Sequence, residues 1–372
     1  MRLRLATHAE KLERWLGPKN VEHLSRAMRD WPGPPIAISG VPGNVWAMGG
    51  GDFRGVIRAG ELSHALDYAE QRIKRILRDT ARRQAVQASA GFSSLSDLIS
   101  EATTGGKSRF FTYTKTGSTG VVSVTNSLWG LGPHPAAGAN AAAAPGGESP
   151  TDATTGAYTF TNPTGGDTQH FVQANVLGSA VNTLLLYDRL FQVNKTMNST
   201  ATEAVTGVPT RYQSTTASNP DYIGGNFLFV EVGGTALAAT AHNWTVCTYT
   251  DQANAASTLP SLTGNASAIV RRLDHPVMQW YAPYESGDVG VKALTQMQCS
   301  ALVATGVINF VIGHPIVWCP IPIVNLACSV DGINTAFNLV RIFDDAALAW
   351  LEVNKPATTA TNYNMTVQTV AG

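Results

Sequence analysis

From about residue 108 onward, short runs of β-branched and aromatic residues recur in which apolar and polar side chains largely alternate. The clearest runs are residues 109–115, 121–125, 158–161, 227–232 and 244–250. This period of two is typical of strands with one face in the core and the other in solvent. A longer apolar stretch, residues 302–324, is interrupted by polar residues and three prolines, so we interpret it as buried strands and not as a membrane span.

No helical pattern of ten or more residues follows these strands until the neighbourhood of residues 346–351. Parallel strands need long crossover connections, usually helices, so the pattern favours an antiparallel β-sandwich or jelly-roll-like fold. We therefore predict a mainly β region over residues 106–372, built as one sandwich or as two tandem β domains. Within it, the Ala-, Gly- and Pro-rich residues 130–150 predict a surface loop or arm, because few of their side chains are large enough to anchor it.

The first 105 residues have a different composition and predict a helical and extended region. Residues 1–100 carry 15 Lys and Arg and 10 Asp and Glu, whereas the remaining 272 residues carry 11 and 16. Four prolines deny residues 31–45 regular hydrogen bonding, which predicts an extended arm that docks through its apolar side chains. Residues 62–88 place apolar side chains at helical spacing and arginines on the other faces, which predicts a long basic helix.

The arm and the basic helix supply the candidate contacts with other chains. The apolar residues of the arm are too many for so short a helical neighbourhood to bury. The basic face of the helix lacks interleaved aromatic residues, so we interpret it as a solvated or interfacial face and do not expect contact with nucleic acid. The predicted assembly contacts are Trp31, Pro34, Pro35, Ile36, Ile38, Val41, Pro42, Arg75, Arg78, Arg82 and Arg83.

Motifs for nucleotide or metal binding are incomplete. Residues 105–108 end like a phosphate-binding P-loop, but Glu101 stands where the motif needs its first glycine and a strand is predicted to follow. In the glycine-rich residues 49–55, Arg54 occupies the position of the third glycine of a dinucleotide-binding turn. Glu61 and His64 have no second histidine nearby. We therefore predict no cofactor and no metal.

Acidic and histidine neighbours also fail to indicate an active site. Asp274 precedes His275 and Asp344 precedes Asp345, but neighbours in sequence point apart on a strand and serve turns more often than catalysis. His314 is expected to be a core or turn residue. We predict that the protein is not an enzyme. The residues that a test of this prediction should target are Asp274, His275, Asp288, Asp344 and Asp345.

Cysteine usage, the N-terminus and charge exclude several classes of protein. The cysteines Cys247, Cys299, Cys319 and Cys328 are too few and too widely spaced for a disulfide framework, so we predict four buried free thiols. Charged residues begin before any apolar run at the N-terminus, which is wrong for a signal peptide. Only 14% of residues are charged, against about 25% in a typical soluble domain. Such a composition suits a subunit that buries much of its surface against copies and partners.

Several stretches resemble a family of virion structural proteins from tailed double-stranded-DNA bacteriophages. They are residues 28–36, 41–45, 183–190, 229–232, 244–249 and 285–292. The resemblance covers most of the chain and implies a place in the virion, after assembly in the host cytoplasm. It also implies partners: copies of the chain itself, in an oligomer such as a trimer, and other virion proteins such as the major capsid protein.

The predicted order of elements departs from the common major-capsid pattern. The usual shell protein of the family has a long spine helix set among strands, whereas the long helix here precedes the β region. We therefore expect a capsid decoration or cement protein that stabilises the head shell through contacts between subunits. The alternatives are a tail or collar component, a shell subunit of unusual build, and a host-glycan-binding sandwich or glycosidase. Exposed aromatic platforms, or carboxylates about 5 to 10 Å apart in a groove, would favour the glycan-directed alternative.

Overall fold

A computed structural model of the chain describes Phe92 and residues 94–216, 224–333, 339–355 and 358–372. All of these residues belong to one compact unit. The predicted arm, the predicted basic helix and all eleven predicted assembly contacts lie outside the described residues. The described part is mainly β, with antiparallel sheets packed together as in a β-sandwich, which confirms the predicted fold class.

The helix α1 (Leu95–Thr103) precedes the first strand. Ser94 caps it, because its side-chain oxygen accepts a hydrogen bond from the backbone N–H of Asp97 at 3.1 Å. Leu98 is buried on the helix face that packs beside Phe92 and Val370. The helix therefore docks on the sheet through a small apolar cluster.

Sheet I has six strands and contains both the first long strand and the last. Antiparallel pairing joins β1 (Ser108–Ser118) to β16 (Thr361–Ala371), so the two ends of the β region lie side by side. In spatial order its strands are β13 (Cys328–Asp331), β4 (Gln169–Gly178), β16 (Thr361–Ala371), β1 (Ser108–Ser118) and β3 (Pro133–His134), with β14 (Arg341–Ile342) also paired to β4.

Sheet II is the central sheet and contains the two longest strands. In spatial order its strands are β2 (Asn126–Ser127), β15 (Leu348–Val353), β5 (Asn182–Thr196), β12 (Val307–Ile321) and β7 (Phe227–Val232). Sheet III has five shorter strands. They are β10 (Leu262–Thr263), β8 (Asn243–Asp251), β11 (Val291–Cys299) and β6 (Glu203–Ala204) in spatial order, with β9 (Ala256–Thr258) also paired to β8.

Each half of the central sheet contributes side chains to a different apolar core. Leu184 of β5 and Ile321 of β12 belong to the cluster shared with sheet I, whereas Phe191 and Phe310 of the same two strands belong to the cluster shared with sheet III. The register between β5 and β12 shifts near Gly313, between these two halves. The long strands thus hold sheets I and III in one structure.

Three of the predicted strands are confirmed and two are wrong. Residues 109–115, 227–232 and 244–250 lie in β1, β7 and β8. Residues 121–125 form a turn instead, because Ser123 adopts a φ of 62° that breaks an extended chain. Residues 158–161 pair with no strand, and Phe160 donates its backbone N–H to the Asp152 carboxylate. The rings of Tyr158 and Phe160 nevertheless pack on Phe111, which explains their apolar alternation.

Three further predictions concern residues 302–324, 346–351 and 130–150. Residues 302–324 contain the strand β12, as expected. The helical pattern near residues 346–351 was misleading, because these residues enter β15, whose six residues are all buried and therefore show no alternation. Residues 130–150 form the predicted surface loop except at the two-residue strand β3. The loop is also anchored, because Ala144 and Glu148 donate backbone hydrogen bonds to carbonyl groups of β5, alongside which it runs.

Candidate interaction surface

An open groove of about 520 Å³ lies beside the end of the two long strands of the central sheet. Trp318 of β12 remains 40% exposed there, and its ring lies 4.9 Å from that of Trp280 at 84°. Trp280 in turn packs edge-on against the buried ring of Phe227, with the centroids 4.9 Å apart. The two tryptophans therefore form an aromatic wall of the groove that packs against the buried core. Its lining residues are Val181, Asn182, Thr183, Trp280, Trp318, Pro320, Ile321, Pro322, Val353 and Asn354.

The chain that leaves β12 extends this apolar surface. Ile323 and Leu326 are 55% and 54% exposed, and Val324 is also exposed. Asn325 donates its backbone N–H to the Gly178 carbonyl at 3.0 Å, which fixes this loop beside the turn that carries the exposed Val181. Large apolar side chains that are exposed singly are ordinary, but a contiguous group of them is typical of an interaction site.

Together these residues form what we call the apolar band. It consists of Val181, Trp280, Tyr281, Trp318, Pro320, Pro322, Ile323, Val324 and Leu326. None of the described residues that line the groove carries a charge, and the polar groups there are amides and a hydroxyl. The band can therefore bury apolar surface against a partner without desolvating an ion.

The structure gives Asp274 and His275 separate structural contacts. Asp274 accepts hydrogen bonds from Trp244 Nε1 at 2.8 Å and from the backbone N–H of Asn265 at 2.5 Å. His275 accepts the backbone N–H of Val230 at Nε2, and burial lowers the pKa of its imidazole to about 4. A neutral histidine whose nitrogen is occupied in this way is a strand-positioning group and a poor proton shuttle.

Sequence reasoning missed the histidine that does meet Asp274. His242 Nε2 lies 2.9 Å from Asp274 Oδ2, and His242 Nδ1 lies 3.1 Å from the Thr240 carbonyl oxygen. Both facing atoms are acceptors, so the imidazole donates from both nitrogens. Burial alone would lower the pKa of His242, but the hydrogen bond to Asp274 and the carboxylate charge outweigh it and raise the pKa. The two residues are 32 positions apart, and no spacing signal in the sequence could have revealed the pair.

The other acidic candidates are dispersed among different partners. Asp288 accepts a hydrogen bond from Tyr249 at 2.5 Å, and this bond lowers the pKa of the Asp288 carboxyl. Asp345 exchanges two hydrogen bonds with Asn162 across a turn, where its φ is 57°. Asp344 is exposed. These contacts join no two of the acidic candidates in one site.

The remaining sequence candidates also occupy structural positions. His314 is buried in β12, where its ring stacks on Tyr212 at 4.1 Å between centroids, as expected of a core residue. Residues 105–108 join α1 to β1, and Lys107 forms ion pairs with Glu101 and Asp167. In the described part of the chain, no group of three or more His, Cys, Asp or Glu side chains could hold a metal ion.

Comparison with known proteins does not supply a family for this chain. No protein-family model, no curated protein and no solved structure matches it. Of the helices that the structure describes, none is long and apolar enough to span a bilayer.

Proposed function

We propose that the protein is a structural subunit of a tailed-bacteriophage virion, and specifically a decoration or cement protein that binds the head shell. The resemblance of several sequence stretches to virion structural proteins supports this proposal. The observation that carries it is the apolar band, an uncharged surface on an otherwise tightly packed fold. A protein whose task is to bind copies and shell subunits needs such a surface and no active site.

The free energy of apolar burial favours a partner that covers the apolar band. Burial of apolar surface stabilises an interface by roughly 25 cal/mol per Å² of area removed from water. Trp318, in the lining of the groove, is the kind of aromatic anchor that contributes most of the binding free energy in protein interfaces. Its neighbour Trp280 is held by Phe227, so little conformational freedom would be lost on binding.

A substitution in the band tests the proposal. We expect Trp318→Ser to lower the incorporation of the protein into virus particles by about tenfold or more. The matched control is Phe110→Ser, because Phe110 is 62% exposed on β1 and lies outside the band. Thermal unfolding of both purified variants should stay close to that of the parent chain. Equal incorporation of the two variants would contradict the proposal.

The number of copies in a particle distinguishes the shell-bound role from its nearest alternatives. A decoration protein or a shell subunit of unusual build is present at on the order of hundreds of copies, because it follows the symmetry of the head. A tail or collar component is present at a few or a few tens of copies. Removal of a decoration protein should leave a closed shell, whereas removal of a shell subunit should not.

A host-glycan-binding role is the second candidate, and the Trp280–Trp318 pair favours it. Aromatic rings with neighbouring amide groups are a suitable lining for a sugar, whose faces are apolar and whose edges are polar. Asn354 supplies such an amide in the groove. Quenching of tryptophan fluorescence by host surface polysaccharide, lost in Trp318→Ser, together with normal particle assembly without the protein, would favour this role over the first.

A further inference from the structure

One buried carboxylate of the central sheet accepts hydrogen bonds from a lysine and two asparagines. Glu352 of β15 is fully buried, and its Oε1 accepts hydrogen bonds from Lys355 Nζ and from Asn182 Nδ2, both at 3.0 Å. Its Oε2 accepts from Asn126 Nδ2 at 3.0 Å and from the Ser118 hydroxyl at 2.5 Å. Thr361 and Tyr363 also donate their hydroxyls to Oε1. An amine and a carboxamide are thus held on the two oxygens of one carboxylate.

The lysine is positioned as a potential nucleophile. Lys355 is fully buried, and besides Glu352 its Nζ donates to Thr361 Oγ1 at 2.5 Å. Its Nζ thus lies in direct contact with a carboxylate oxygen that can take one of its protons during a reaction. Burial alone would raise the pKa of Glu352, but hydrogen bonds from Ser118 and Tyr363 and the charge of Lys355 outweigh it and lower the pKa. The lowered pKa keeps Glu352 ionised, and its contacts with Lys355 Nζ and Asn126 Nδ2 place it to carry a proton from one nitrogen to the other.

Asn126 is positioned as the electrophile. It lies directly opposite Glu352 in the β2–β15 pairing and is buried, yet in the described part of the chain no donor reaches its Oδ1. The position that a Cβ atom on Gly120 would occupy is 2.5 Å from Asn126 Nδ2 and 2.9 Å from Lys355 Cδ. The carboxamide and the lysine chain are therefore neighbours across a residue without a side chain.

We propose that Lys355 and Asn126 form an intramolecular isopeptide bond, with Glu352 as the proton carrier. Lys355 Nζ passes a proton to Glu352 and attacks Asn126 Cγ, forming the new C–N bond. Glu352 returns this proton to Nδ2, the Cγ–Nδ2 bond breaks, and the departing ammonia takes the second surplus proton of Nζ, again through Glu352. The lysine ammonium and the carboxamide become a secondary amide and an ammonium ion, with no change of oxidation state and no external reactant.

Asn182 is less suited to the same reaction. Its Oδ1 already accepts the Thr183 backbone N–H at 2.7 Å, and its Nδ2 is shared between Glu352 and the Tyr363 hydroxyl. Both ends of that carboxamide are held, so it cannot turn toward Lys355. Asn182 acts as a positioning residue that helps to orient Glu352.

Intact-mass spectrometry of the folded full chain tests the proposal. The bond removes ammonia, so the expected mass is about 17 Da below that of the unmodified sequence. A protease digest should then yield a branched peptide that joins the segments containing Asn126 and Lys355. An unmodified mass, or a mass loss without the branched peptide, would overturn the proposal.

Four variants assign the roles. Lys355→Arg and Glu352→Gln should have their full sequence mass and yield no branched peptide. Asn182→Ser should keep the deficit of about 17 Da, whereas Asn126→Asp, which retains a carbonyl carbon at the same place, should lose water, about 18 Da. Loss of the deficit in Asn182→Ser, or a deficit of about 17 Da instead of about 18 Da in Asn126→Asp, would contradict the assignment. The measurement on the parent chain decides the proposal even where a variant fails to fold.

Discussion

Arg189 of β5 and Glu231 of β7 form a buried ion pair across the intervening strand β12. Arg189 Nη2 lies 2.5 Å from Glu231 Oε1, and Nη1 lies 3.3 Å from Oε2. Asn309 of β12 donates to the same Glu231 Oε1 at 3.1 Å, and the guanidinium also stacks over Trp129 at 4.7 Å. This contact links three strands of the central sheet.

Removing one partner of this pair should cost much more than replacing both. Glu231→Ala leaves the Arg189 charge buried and unpaired, so we expect the free energy of unfolding to fall by about 3–5 kcal/mol. The double variant Arg189→Met with Glu231→Leu buries no charge and should be clearly less destabilised. Urea denaturation of the three proteins measures the difference. A single variant within about 1 kcal/mol of the parent would contradict this account of the pair.

The His242–Asp274 contact should give the protein a defined pH dependence. The pKa of His242 is raised in the folded state, so its stabilising contribution is fully present below the unfolded value of about 6.5. That contribution should be lost as the pH rises through the folded pKa. The free energy of unfolding of the parent should therefore fall over this range more than that of His242→Gln. His134→Gln, at an exposed site, is the control, and parallel curves for parent and His242→Gln would contradict the prediction.

A glycine substitution tests whether the Ala-rich loop is docked on the central sheet. A Cβ atom on Gly207 would lie 2.0 Å from the Gly146 carbonyl oxygen and 2.7 Å from the Phe191 ring, so Gly207→Ala should destabilise the fold by about 1–3 kcal/mol. Gly146→Ala is the matched control, since nothing lies within 4 Å of its Cβ position. Thermal unfolding of the two variants makes the comparison. Equal melting temperatures would mean that the loop is not held as described.

The cysteines should differ sharply in reactivity. All four thiols are free, as expected, but the expectation that all four are buried is wrong, because Cys328 is half-exposed. Cys328 lies on β13, the edge strand of sheet I, where only one neighbouring strand covers it. Burial raises the pKa of both Cys247 and Cys319 to about 12, which suppresses the reactive thiolate. A thiol reagent should therefore label one cysteine rapidly in the native protein and all four in denaturant. Cys328→Ser should abolish the rapid phase, and a persisting rapid phase would contradict this assignment.

Strands rich in β-branched and aromatic residues could be predicted from the sequence, and a strand built mainly from helix-forming residues could not. β7 was found although all six of its residues are buried, because its Phe and Val residues mark it clearly, and β8 was found for the same compositional reason. β15 was mistaken for a helical pattern, because four of its six residues are Leu, Ala or Glu, which favour helices, and its complete burial leaves no alternation to correct that impression. Residues 158–161 alternate for another reason. The rings of Tyr158 and Phe160 pack on Phe111, although these residues pair with no strand.

The polar clusters could not have been predicted, because they depend on which strands lie side by side. Asn126 and Glu352 are 226 residues apart, yet the β2–β15 pairing places them opposite each other. Asparagine and glutamate are common residues, and neither position carries a local pattern that sets it apart. The apolar band has the same origin: Val181, Trp280 and Leu326 come from three separate segments, and each alone is an ordinary exposed apolar residue.

The central claim, that this chain is a structural subunit bound to a virus head, is tested most directly by counting its copies in purified particles. Isotope-labelled peptides from residues 94–216, added to digests of purified virions, give the ratio of this protein to the most abundant shell protein. The account predicts on the order of hundreds of copies per particle, in a simple ratio to the shell protein. Absence of the protein from particles, or a count of only a few copies, would contradict it.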